Sequence, residues 1–170
     1  MRRLMLFRHA KAERLPPGGR DHERTLDARG RADALKLGAT IVQLGLVPDR
    51  AIVSTAARTR ETWALAAGVF ASAPPVEYDE RLYDATPGAI LHLIQPADPA
   101  TGTLLLVGHN PGMHELAAIM TSEADNDRLN DFPTAALAVI DFPLEAWSRL
   151  QPRSGRLVRF VTPQILAATD

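Results

Sequence analysis

The sequence predicts an α/β fold in three layers, a mostly parallel sheet flanked by helices, with antiparallel strands toward the C-terminus. Three observations predict it. Unbroken apolar runs stand at residues 4–7, 51–53 and 103–107, and runs without polar alternation suit strands covered on both faces. Segments with helical apolar spacing lie between them, the pattern of βαβ units. Beyond residue 133 the pattern changes to two β-rich stretches, TAALAVIDF and GRLVRFVTP, joined by a short segment around Trp147. That spacing suits antiparallel edge strands.

Each helix has its own signals. Leu26, Ala34, Leu35, Leu37, Ile41, Val42 and Leu44 recur at helical spacing, and Gly45 and Pro48 end that helix. A second helix is predicted over residues 57–70, and a third from Thr86-Pro87 to Ile94. In NPGMHELAAIMTS, Pro111 stands where a fourth helix begins, directly after the run ending at Val107. Trp63 and Trp147 read as packing residues. The stretches 15–23 and 123–131 are polar and predicted exposed, and no internal repeat is found. Residues 1–170 are expected to form one domain.

Composition narrows the function. The 170 residues are 46% hydrophobic and 23% charged, enough for a real core without staples. A formal net charge of −1 gives no global attraction to nucleic acid or an anionic membrane. With no cysteine, a disulfide framework, a thiolate metal site and a cysteine nucleophile are excluded. Met1-Arg2-Arg3 before the first apolar run resembles a signal-peptide start, but the run is short and meets Arg8, His9, Lys11 and Glu13 at once. No stretch approaches the roughly 20 apolar residues of a spanning helix. A cytoplasmic protein with no membrane or nucleic-acid partner is expected.

In open α/β sheets, ligands bind beyond the carboxyl ends of the strands. The first strand end delivers Arg8 and His9, the third Ser54 and then Arg58, and the fourth Gly108, His109 and Asn110. Arg24 follows in the loop after the first strand, and Lys11 and Arg20 add positive charge nearby. Two chemistries fit this collection. His9, His22, His109 and His114 offer zinc ligands, although arginines at the same edge would repel a dication. A phosphoryl group fits the whole set better. Guanidinium forks pair with phosphate oxygens, and a neutral imidazole attacks phosphorus. Arginines then stabilise the transition-state charge.

Three motifs add a resemblance. FRHAKAE resembles the Arg-His motif of the histidine phosphatase superfamily, which has the phosphoglycerate-mutase-like fold, with Ala10 where that family usually has Gly. STAARTRET resembles its S-x-x-x-R-x-x-x-T signature through Ser54, Arg58 and Thr62, and VGHNPG resembles the segment carrying its second histidine. Within the superfamily, DHERTLDARGR, the short chain and the C-terminal GRLVRFVTPQIL are most similar to SixA-type phosphohistidine phosphatases. Thr25 and Asp27 depart from that subgroup's PLT turn.

The resemblance implies that His9 is the nucleophile, phosphorylated in passing. Arg8, Arg58 and His109 would hold the phosphoryl group, Arg24 would be a further clamp, and Asn110 would bind phosphate or orient a histidine. Ser54 and Thr62 would position Arg58, or else cap and pack their helix. Asp84, ahead of the third helix, is the candidate general acid, and its alternative role is capping that helix. His114 reads as a surface residue and His22 as a neighbour of the site mouth. No metal or cofactor is implied. The implied substrate is phosphohistidine in a protein. A phosphomonoesterase acting on a small metabolite or a phosphopeptide is the alternative. A non-catalytic phosphate-binding module is disfavoured, because both histidines and the main arginines are present together.

Overall fold

A computed structural model describes residues 1–168. Six strands form one sheet in the order β3-β2-β4-β1-β5-β6. They are β1 (Arg2–Arg8), β2 (Arg50–Ser54), β3 (Val76–Asp79), β4 (Thr103–Gly108), β5 (Leu137–Phe142) and β6 (Arg156–Val161). β1, β2, β3 and β4 are parallel, whereas β5 is antiparallel to both β1 and β6. The helices are α1 (Ala28–Gln43), α2 (Ala57–Ala67), α3 (Pro87–Ile94), α4 (Gly112–Met120), the short α5 (Glu123–Asn126) and α6 (Pro163–Ala168). The α/β class, the mostly parallel sheet and the antiparallel C-terminal strands are as the sequence predicts.

The unbroken apolar runs have a direct physical reason. Successive strand side chains point to opposite faces, so a strand covered on both sides needs apolar residues at every position. In β1, Leu4 and Leu6 join one core with Ile90, Leu93, Met113 and Leu116 of α3 and α4. Met5 and Phe7 join the opposite core with Ala34, Leu37 and Ile41 of α1 and Trp63 and Ala66 of α2. All four β1 residues are fully buried. Each such side chain contributes roughly 1.5–3 kcal/mol of burial, which fixes the strand that carries Arg8 and His9 at its end.

Several boundaries differ from expectation. The first helix starts at Ala28, because Asp27 caps it by accepting a bond from the Gly30 amide at 2.7 Å. Leu26 lies before it, bridged to Ala12, while Leu35, Val42 and Leu44 face outward. Gly45 (φ 67) ends α1 by a paired closure, its own amide on Val42 O and the Leu46 amide on Ile41 O. The second helix stops at Ala67, before the predicted Phe70. The third begins as predicted, with Thr86 Oγ1 accepting from the Ala89 amide at 3.2 Å.

One strand assignment is corrected and one strand is added. β5 is not an edge strand. It lies between β1 and β6 and is buried along its whole length. β6 alone has the predicted edge position. β3, at the other edge, escapes sequence reading because Val76, Glu77 and Tyr78 are all exposed and leave no apolar run. Both tryptophans pack as expected. Trp63 stands edge-on to Phe70, and buried Trp147 donates from Nε1 to Thr101 O at 2.8 Å. The polar stretch 15–23 contains a single 3-10 turn at Asp21–Glu23, and the stretch 123–131 contains α5 with Leu129 buried behind it. Among the described residues no helix is long and apolar enough to cross a membrane.

Candidate active site

Strand register assembles the site. Arg8 pairs with Gly108 and Val53 with Val107, so the carboxyl ends of β1, β4 and β2 stop at one level. Immediately beyond them the His9 amide donates to Gly108 O at 3.1 Å, and His9 O accepts from the Ala135 amide at 2.9 Å. Position 9 is therefore held on both sides after the strand has ended. The His9 and His109 rings lie 5.3 Å apart, inclined at 54°, and both are buried. Arg58, from the first turn of α2, is buried beside them, while Arg8 is half-buried.

Hydrogen bonds set the protonation of both imidazoles. His9 Nδ1 is 2.7 Å from Ala10 O. A carbonyl only accepts, so Nδ1 carries the proton and Nε2 presents its lone pair. Burial, reinforced by Arg58, Arg8 and Arg24, pushes the His9 pKa down to about 4, against the opposing effect of the Ala10 bond. His109 Nε2 is 2.8 Å from Ser54 Oγ, which also accepts from the Ala56 amide at 3.4 Å. We assign His109 the tautomer in which Ser54 donates to Nε2 and the proton sits on Nδ1. Burial, with His9 and Arg58, lowers the His109 pKa to about 3. Both imidazoles are neutral at pH 7.

A titration checks this. Histidine resonances assigned to His9 and His109 should move with midpoints near 4 and 3 rather than near 6.5. The linkage has a definite sign. Both folded values lie below the unfolded one, so the unfolded chain binds more protons between them. The stability these two residues contribute is complete above about pH 6.5 and is lost as pH falls through about 4 and 3. Midpoints near 6.5 would contradict the buried neutral pair.

The two inner arginines are held differently, Arg8 at one point and Arg58 at two. Arg8 Nη1 donates to Phe132 O at 3.0 Å. Arg58 donates from Nη1 to Asp21 O at 2.9 Å and from Nη2 to Asp21 Oδ2 at 3.1 Å. Among the described residues, Arg8 Nε, Arg58 Nε and His109 Nδ1 are buried without a hydrogen-bond partner, as is Arg2 Nε at the far end of β1. The first three are donors grouped around His9.

The remaining predicted residues fall into place unevenly. Arg24 adjoins the group, donating from Nε to Asp21 Oδ1 at 2.9 Å and from Nη1 to Glu13 O at 3.1 Å. Asn110 uses Nδ2 on Phe132 O at 2.8 Å and accepts from the His114 amide at 3.3 Å, so it fixes the carbonyl that holds Arg8. Ser54 holds His109 rather than Arg58. Thr62 donates to the Arg58 backbone carbonyl one turn back in α2 at 2.7 Å and accepts from the Ala10 amide at 3.0 Å, so it ties α2 to the segment after β1. Ala10 is fully buried, has no positive φ and has its amide committed to Thr62.

Asp84 is exposed, with left-handed backbone (φ 51), and Thr86 rather than Asp84 caps α3. His114 is partly buried rather than on the surface. Its ring stacks on Phe132 at 5.6 Å, and its Nε2 meets Leu129 O. His22 borders the site, with Nε2 2.8 Å from Thr55 Oγ1 and its ring edge-on to Tyr83. Lys11 pairs with Asp27 at 3.7 Å, and Arg20 is exposed. The four histidines weighed as zinc ligands do not converge. Among the described residues no three His, Asp or Glu side chains come together in a metal-binding group.

Two site residues escape sequence reading. Asp21 bonds Arg58, Arg24 and the Tyr83 hydroxyl. The Tyr83 bond, with Arg58 and Arg24, holds the Asp21 carboxyl down at about 2, so it is ionised. Tyr83 stands edge-on to His109 at 5.3 Å and beneath the Arg58 guanidinium at 5.8 Å. The only sequence signal for Asp21 is its position three residues before Arg24, and Tyr83 has none.

Comparison with known proteins places these features in a group. The family model of the histidine phosphatase superfamily (branch 1) matches residues 4–94. An uncharacterised protein of Mycobacterium tuberculosis is 35% identical over 164 residues, covering 93% of this chain and all of the relative. A structure from Agrobacterium tumefaciens, provisionally named phosphohistidine phosphatase SixA, is 32% identical. It superposes with a TM-score of 0.82 over 95% of this chain and 98% of that one. Another, from Nakamurella multipartitia and provisionally given the same name, is 28% identical, with a TM-score of 0.83 over 95% and 96% of the two chains.

Proposed function

This chain belongs to the histidine phosphatase superfamily (branch 1), and on that premise we propose that it hydrolyses phosphohistidine in a protein through a phosphorylated His9. The observation that carries the reading is the set of buried donors around His9: Arg8 Nε, Arg58 Nε and His109 Nδ1. Leaving such donors unpaired is costly, and a phosphoryl group presents oxygens that satisfy all three. Arg8 and Arg58 then neutralise charge on the equatorial oxygens as it builds in the transition state.

His9 Nε2 is the attacking atom, because Nδ1–H is tied to Ala10 O. Its lone pair forms a bond to phosphorus as the bond from phosphorus to the substrate nitrogen breaks; the substrate ring, protonated from solvent on its other nitrogen, takes that electron pair and leaves as neutral imidazole. Water then attacks phosphorus and gives up a proton to solvent, the bond to His9 breaks with its electron pair returning to Nε2, and inorganic phosphate leaves. A phosphoramidate suits this site better than a phosphomonoester. An alkoxide needs a proton from a general acid, a contribution of about 10²–10⁴-fold, and Asp21 is ionised while Asp84 is exposed on a left-handed turn. The names of the Agrobacterium and Nakamurella structures support the same substrate class.

The test compares a phosphohistidine-bearing protein, p-nitrophenyl phosphate and sugar phosphates. The expected kcat/KM for phosphohistidine exceeds that for sugar phosphates by at least about 10²-fold, with the activated aryl ester between them. Asp84→Asn should keep most of the phosphohistidine activity. Equal or faster turnover of a sugar phosphate, abolished in Asp84→Asn, would overturn the substrate assignment in favour of a phosphomonoesterase.

A further inference from the structure

We propose that Asp21 is the positioning residue that aims Arg58 and Arg24 at the phosphoryl group, a role that rests on the phosphatase reading above. A guanidinium offers five N–H donors in a flat fork. Arg58 gives its outer edge to Asp21, with Nη1 on the backbone carbonyl and Nη2 on the carboxylate. This two-point grip fixes the plane of the fork and leaves the Nε edge buried and directed elsewhere. Arg8 is held at one point only, Nη1 on Phe132 O, a carbonyl itself steadied by Asn110. The second carboxylate oxygen of Asp21 holds Arg24 Nε at 2.9 Å. One carboxylate thus links two arginines from different parts of the chain.

The anchoring continues outward. Tyr83, just before α3, donates its hydroxyl to Asp21 Oδ2. Next to Asp21, His22 meets Thr55, between β2 and α2. The 3-10 turn at Asp21–Glu23 is therefore tied to two other elements at the points where it touches the arginines. A carboxylate beside an anion site has a direct electrostatic cost to anion binding. Its presence is accounted for if it orients Arg58, because a misplaced catalytic group loses on the order of 10²-fold in rate.

That tension makes the role testable. If Asp21 were only a neighbouring charge, Asp21→Asn would remove repulsion, tighten inorganic phosphate binding and leave kcat unchanged. As a positioning residue, Asp21→Asn lowers kcat by about 10- to 100-fold and weakens calorimetrically measured inorganic phosphate binding by about 3- to 10-fold. Tyr83→Phe, which retains both Arg58 contacts, should shift both quantities in the same direction by less, about 2- to 5-fold, and decides the matter if Asp21→Asn does not fold. Tighter phosphate binding with wild-type kcat in Asp21→Asn, or no change in either variant, overturns the positioning role alone. Failure of the wild type to bind inorganic phosphate overturns the phosphatase reading and the positioning role together. Binding of phosphate by the wild type, whatever substrate it prefers, keeps the two distinguishable.

Discussion

His9→Ala is expected to lower turnover of phosphohistidine by at least about 10³-fold while leaving inorganic phosphate binding within about threefold of wild type. The two parts follow from different atoms. Turnover needs the Nε2 lone pair, which Ala lacks. Binding rests on Arg8, Arg58 and His109, each held by partners other than the His9 side chain: Phe132 O, Asp21 and Ser54. The His9 backbone bonds to Gly108 O and from Ala135 survive the substitution. Rates from steady-state assay and phosphate affinity from calorimetry check both parts. Unchanged turnover in His9→Ala would remove the nucleophile assignment.

Arg58→Ala is expected to reduce kcat by about 10³–10⁵-fold, the range seen when a single transition-state arginine is removed. Arg58→Lys should remain within about tenfold of the alanine variant, because an ammonium cannot bridge Asp21 and a phosphoryl oxygen with one planar fork. The change leaves Asp21 with Arg24 and Tyr83 as partners, so a folded variant is expected, which thermal melting verifies. A lysine variant with near-wild-type kcat would show that positive charge alone suffices, contrary to the geometry described.

The parts of the fold legible in sequence are those with local causes. β1 and β4 declare themselves because both faces are buried along residues 4–7 and 104–107, where every side chain is apolar. α3 declares itself through Thr86-Pro87, a cap followed by a residue already suited to the first turn. What pairs with what is a long-range matter. β5 reads as a strand, yet its interior place between β1 and β6 depends on residues more than 100 positions away in β1. β3 is invisible because an exposed edge strand needs no apolar run.

The site divides along the same line. The grouping of Arg8, His9, Arg58 and His109 is legible in sequence because each sits at or shortly after a strand end, where the chain direction alone brings them to one edge. Partners were harder to assign. By sequence Ser54 either positions Arg58 or caps its helix; in the structure its hydroxyl reaches across to the neighbouring strand end and meets His109. Asp21 lies in a polar loop that reads as exposed, whereas the residue is half-buried with 42% of its side chain still accessible. Its contacts with Arg58 and Tyr83 span 37 and 62 residues of sequence, so no local pattern announces them. Ala10 is compatible with its place because its backbone needs no positive φ and its amide already has Thr62.

The central claim is that the phosphoryl group passes through His9. Rapid quenching of the wild-type chain with radiolabelled phosphohistidine protein, followed by alkaline digestion and mass spectrometry, tests it directly. The account predicts an acid-labile, base-stable phosphoryl group on the peptide containing His9, formed within the first turnover and absent from His9→Ala. Label on His109 or on another residue, or none at all while turnover proceeds at its full rate, would contradict it.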